Sequence, residues 1–119
     1  MKNPILIILV SCFVFVATAH PPRKVVLNTD HKSKLLKINI SHTVKDTETH
    51  FISKVIITLN GQLLEEKTFT KQSTAGKETI TITVDEMKVG DKIEVECICN
   101  KSGRKKASAE VKSYNTQSK

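Results

Sequence analysis

Phe51-Ile-Ser-Lys-Val-Ile-Ile-Thr-Leu59-Asn60-Gly61-Gln62-Leu-Leu-Glu-Glu-Lys-Thr-Phe-Thr70 is the stretch that decides the fold class. Phe51 to Leu59 is rich in β-branched residues, which suit a half-buried pleated strand. Asn60-Gly61 follows at once, the dipeptide best suited to the two positive-φ positions of a type I′ turn. Gln62 to Thr70 is therefore predicted to run back antiparallel.

The same period of two recurs on both sides of this hairpin. Leu36, Ile38 and Ile40 alternate with polar partners in Lys34 to Ser41, and Ile80, Ile82 and Val84 alternate with threonines in Thr79 to Val84. Val89-Gly90-Asp91 reads as a turn. It leads into Lys92 to Cys99, with Ile93, Val95, Cys97 and Cys99 on one face and Glu94 and Glu96 on the other. Val25 to Leu27 and Ala107 to Val111 supply a first and a last strand, and the polar tail from Ser113 is expected to fray. About seven strands without a helix-period segment predict an all-β fold, an immunoglobulin-like antiparallel β-sandwich.

The amino-terminal segment has a different character. Lys2 precedes an uncharged, mainly apolar run from Ile5 to Ala19 that ends in Ala17-Thr18-Ala19, a small-x-small pattern. Residues 1–19 are read as a cleaved secretory signal peptide and residues 20–119 as one domain, secreted or periplasmic, with no membrane attachment after cleavage. The run is short for a membrane span, which needs roughly 20 apolar residues. Leu9-Val10-Ser11-Cys12 resembles a lipobox, but the apolar run continues past Cys12, which favours ordinary cleavage.

Charge narrows the function classes. The 119-residue chain has a formal net charge of +7 and no Trp, and its basic residues are dispersed except for Arg104-Lys105-Lys106. A basic groove with stacking aromatics is missing, so nucleic-acid binding is not expected. No nucleophile elbow or glycine-rich phosphate loop is present. Glu65-Glu66 and Asp85-Glu86 place neighbouring carboxylates on opposite strand faces, so they read as solvated surface rather than acid/base pairs. Asn39-Ile40-Ser41 and Asn100-Lys101-Ser102 fit a glycosylation sequon, which matters only in a host that glycosylates exported proteins.

What remains is a set of potential metal ligands: His20, which signal cleavage would leave at the mature terminus, with His42, His50 and Cys99. His42 closes one strand, His50 opens the next, and Cys99 ends a strand before a turn, so all three can meet at one end of a sandwich. Cys97 and Cys99 lie two apart on one strand, with Cα atoms roughly 6.5 to 7 Å apart, at the limit of disulfide geometry. They are expected to be two thiols, one a candidate ligand and the other in the core. His31, beside Asp30, is expected on an exposed turn.

These motifs carry a resemblance. His42-Thr-Val-Lys-Asp-Thr-Glu-Thr-His50-Phe51-Ile52, with Val95-Glu-Cys-Ile-Cys99-Asn100-Lys-Ser-Gly103, resembles the iron domain of the superoxide reductases, the desulfoferrodoxin and neelaredoxin family. The resemblance implies an immunoglobulin-like sandwich holding ferrous iron by four histidines and an axial cysteine thiolate. By that likeness His42 and His50 match two histidines, Cys99 the thiolate, and His20-Pro21-Pro22 the family's upstream His-x-Pro segment. It further implies a redox domain acting on a small oxidant, superoxide.

The departures are equally specific. Ser102 stands where the family has its last histidine, Thr43 where it has proline, and the Glu-Lys pair upstream of the first histidine has no counterpart. At most three histidines and one thiolate are available, an incomplete set. Two other classes stay open at this point: a noncatalytic sandwich that binds a partner without metal, and a copper-binding export protein that uses the amine and imidazole of a terminal His20.

Overall fold

A computed structural model describes residues 20–113 of the chain. The expected signal peptide and the tail beyond Ser113 lie outside the described residues. Seven strands form: β1 (Lys24–Asp30), β2 (Leu35–Ser41), β3 (Ile52–Leu59), β4 (Gln62–Thr68), β5 (Lys77–Thr83), β6 (Lys92–Cys99) and β7 (Arg104–Glu110). They make a three-stranded sheet, β1-β2-β5, and a four-stranded sheet, β4-β3-β6-β7, with antiparallel pairing throughout. No helix occurs among the described residues, and the fold is the predicted β-sandwich.

The turn that decided the reading behaves as expected. Asn60 and Gly61 both have positive φ, 50° and 83°, and Leu59 pairs with Gln62 across them. Asn60 also clips the neighbouring turn, its Nδ2 donating to Asp91 Oδ1 at 3.0 Å while its Oδ1 accepts from Lys92 N at 2.9 Å. These contacts close the end of the sandwich away from His42 and His50.

One core lies between the sheets. Leu36, Ile38, Ile40, Ile80 and Ile82 from one sheet meet Ile52, Val55, Ile57, Ile93, Val95 and Cys97 from the other. Alternation along β2, β5 and β6 is what points these residues inward, since a one-residue slip would turn each set to solvent. Met87 and Val111, from outside the strands, are fully buried in the same cluster.

The main difference from expectation is β7. It starts at Arg104, three residues before the predicted Ala107, because its basic residues are paired rather than looped out. Arg104 and Lys106 both reach Glu96 on β6, at 3.2 and 3.9 Å. Such charges are also what an edge strand needs to resist pairing with a second chain.

Candidate metal centre

Strand direction gathers the candidate ligands. The start of β1, the end of β2, the start of β3 and the end of β6 all fall at one end of the sandwich, because Lys24 pairs with Ser41 and Ile52 with Cys99. His42 follows β2 directly, His50 lies two residues before β3, and Cys99 is the last residue of β6. Donor atoms of His42, His50 and Cys99 all lie within 4.8 Å of one another. The exposed ring of His20 joins them, its centroid 5.6 Å from that of His42 and 5.7 Å from that of His50, while the rings of His42 and His50 meet edge to face at 4.8 Å.

Each candidate ligand position has its own support. The β3–β6 register shifts between Ile52 and Lys54, leaving Ser53 as a bulge whose Oγ donates to Ile98 O at 3.2 Å. A bulge beside a site re-aims the strand end. Asn100 then locks Cys99 to the His50 segment: its Oδ1 accepts from Phe51 N at 2.9 Å, its Nδ2 donates to Thr49 O at 3.0 Å, and its N donates to Phe51 O at 3.0 Å. The loop after Cys99 closes when Cys99 N donates to Gly103 O at 3.1 Å.

His20 Nδ1 lies 3.2 Å from Pro21 O, and the segment that carries it is seated by contact. Gly103 has φ +82°, and a Cβ on it would lie 2.7 Å from Pro21 Cβ. Pro21 therefore rides on the bare glycine, and the residue before it is carried over the cluster. Arg23 N donates to Ser41 O at 2.8 Å, which continues the β1–β2 pairing toward His42. His20, Pro21, Pro22, Arg23 and Thr43 line an open groove of about 490 Å³ beside the site.

Electrostatics favour a neutral His50. His50 Nε2 lies 3.1 Å from Cys99 Sγ, and Lys101 N donates to the same sulfur at 3.5 Å. Burial, aided by the charges of His42, His20 and Lys101, holds the His50 imidazole below the ordinary histidine value. A neutral imidazole is the form that binds metal. Cys97 is the opposite case: burial, with Glu96 adding to it, pushes its thiol up to about 12. It is fully buried in the core and remains a protonated packing residue. Cys97 and Cys99 are both free, as the strand geometry predicted.

A metal fits this donor set. His42 Nε2 is buried with no hydrogen-bond partner, although an unpaired buried donor or acceptor costs about 1–3 kcal/mol. Metal–nitrogen and metal–sulfur bonds near 2.0–2.3 Å put two donors on one ion roughly 3 to 4 Å apart; His50 Nε2 and Cys99 Sγ stand at 3.1 Å, and all three donors lie within 4.8 Å of one another. Imidazole with thiolate suits iron, copper or zinc. Ser102 sits on the exposed loop between Asn100 and Gly103. His31 follows β1 at the far end, half-buried rather than exposed, where it cannot join the cluster.

Sequence reasoning missed Gln72, Asn100 and Gly103 as supporting residues. Asn100 and Gly103 were visible as part of a motif, but Gln72 carried no local signal. It comes from the β4–β5 loop and is 2% exposed.

No protein-family profile matches this chain, and no curated protein matches it in sequence. Solved structures match it in fold. The superoxide reductase (1Fe-SOR) from Giardia intestinalis superposes with a TM-score of 0.59 at 15% identity, covering 77% of this chain and 100% of that one. The superoxide reductase (neelaredoxin) from Ignicoccus hospitalis gives 0.50 at 19% identity over 78% of this chain and 80% of that one. The structural neighbours are thus superoxide reductases, and at these identities the likeness shows a shared fold.

Proposed function

We propose that this chain is an exported, mononuclear iron-binding domain of superoxide-reductase type, with His20, His42, His50 and Cys99 as its ligands. The observation that carries the reading is the convergence of His42, His50 and Cys99 within 4.8 Å, with a buried and unpartnered Nε2 on His42. The orphaned atom also argues against a metal-free binding module, in which that nitrogen would be expected to find a partner or be replaced. Likeness of fold to superoxide reductases supports iron over zinc.

When bound, ferrous iron supplies one electron to superoxide, which with two protons becomes hydrogen peroxide. The chain's own residues prepare for this. Cys99 would supply a thiolate donor that raises electron density on the ion, and His42 and His50 would supply nitrogen donors. Lys101 and Arg23, beside the cluster, set a positive field that draws an anion toward the groove. Ser102 leaves the set one histidine short, so iron is held more weakly and turnover is slower than with a full set.

The amine and imidazole of His20 give copper a rival claim, which rests on His20 lying against the other two rings. Metal analysis of protein beginning at His20 separates the two. Stopped-flow mixing of the iron-loaded form with superoxide then tests the chemistry. Faster superoxide loss with peroxide as product supports the reading; stoichiometric iron with no reaction reduces it to storage or sensing.

A further inference from the structure

The β4–β5 loop is built around His42. Gln72 N donates to Thr47 O at 2.9 Å, His42 N to Gly76 O at 3.1 Å and Val44 N to Ala75 O at 2.7 Å, so the loop grips the segment that follows β2. Glu78, 3% exposed, anchors the loop from β5: its Oε2 accepts from Ser73 N at 2.9 Å and its Oε1 from Ser73 Oγ at 2.5 Å. Gln72 is thereby fixed inside the protein.

The orientation of its amide follows from its partners. Gln72 Nε2 donates to His42 O at 2.7 Å and to Thr74 O at 2.8 Å, which uses both of its N–H bonds on carbonyl oxygens. Its Oε1 must then face His42 Nδ1, 2.7 Å away, and an amide oxygen only accepts. His42 Nδ1 must carry the proton. In water a histidine side chain favours the other tautomer, with the proton on Nε2.

We propose that Gln72 is a positioning residue that holds His42 in its Nδ1–H tautomer, so that the buried Nε2 is presented as a bare donor for a metal ion. The ligand role of that nitrogen rests on the metal-site reading above; the tautomer does not. A partner on the second ring nitrogen is the usual means of fixing a ligating histidine and raising its basicity, and losing it typically costs 10–100-fold in metal affinity. Here the partner is a neutral amide that also ties down the backbone carbonyl of the same histidine, so ring and main chain are set together.

Long-range proton–nitrogen NMR of the purified, metal-free protein at about pH 8, where histidines are neutral, reads the tautomer without any substitution. The expected result is His42 protonated at Nδ1; protonation at Nε2 overturns the inference whatever metal binds. In Gln72→Met, similar in size but without an acceptor, His42 should shift toward Nε2–H. Affinity for Co2+, an air-stable stand-in for ferrous iron, should fall by about 10–100-fold. A folded Gln72→Met protein with unchanged Co2+ affinity overturns the positioning role. The predicted tautomer together with no Co2+ binding by the unsubstituted protein sinks the metal-site reading and leaves the tautomer assignment standing.

Discussion

Gly103→Ala probes the link between the amino-terminal segment and the cluster. The residue sits at φ +82°, where an L side chain costs roughly 1–2 kcal/mol. A new Cβ would also meet Pro21 Cβ at 2.7 Å and Pro21 Cα at 3.1 Å. Carbon atoms pack best at about 3.5–4.0 Å, so Pro21 has to retreat by about 1 Å. That retreat adds a further cost of about 1–2 kcal/mol and lifts His20 from the other rings. Gly61→Ala is the matched control, with φ +83° and nothing within 4 Å of its Cβ. Urea unfolding should place Gly61→Ala about 1–2 kcal/mol below the parent and Gly103→Ala lower again by about 1–2 kcal/mol. Calorimetric titration with metal should show about a 10-fold loss for Gly103→Ala, comparable to removal of a support for a ligand. Gly61→Ala, at the far end, should bind as the parent does. Equal stability of the two variants with unchanged metal affinity in both would refute the argument that Gly103 seats Pro21 and His20.

Other expectations follow from the same geometry. Cys97, with its thiol pushed up to about 12, should resist alkylation in the folded protein and react only after denaturation, as mass spectrometry of the labelled chain can show. Ile57→Ala empties a fully buried site between the sheets and should cost about 2–5 kcal/mol in chemical unfolding. His50 holds its proton less well folded than unfolded, so between its lowered native value and 6.5 the unfolded chain binds more protons. Metal-free stability should therefore be undiminished above 6.5 and fall as pH drops through that window, a slope that His50→Gln should flatten in urea midpoints measured against pH.

Much of this was legible before the structure because it depends on local pattern. Period-two alternation in β2, β5 and β6 set which residues face inward, and Asn60-Gly61 set one turn and its register. His42, His50 and Cys99 could be brought together because each abuts a strand end, and antiparallel order decides which ends coincide. The start of β7 was hidden because Arg104-Lys105-Lys106 lacks apolar alternation; its pairing depends on Glu96 across the sheet. Gln72 was hidden for a stronger reason. Its role comes from a contact with a residue 30 positions earlier, which no local period or motif reports. Pro21 against Gly103 is likewise a meeting of distant segments, and only the sharp turn implied by the glycine could be read beforehand.

The proposed site has His42, His50 and Cys99, with His20 beside them, holding one metal ion. Elemental analysis with absorption spectroscopy of anaerobically purified protein beginning at His20, beside Cys99→Ser, tests it most directly. One iron per chain with a thiolate-to-metal absorption band is expected, and loss of that band together with most of the metal in Cys99→Ser. Substoichiometric metal in the parent protein, or full metal content and an unchanged spectrum in Cys99→Ser, would contradict it.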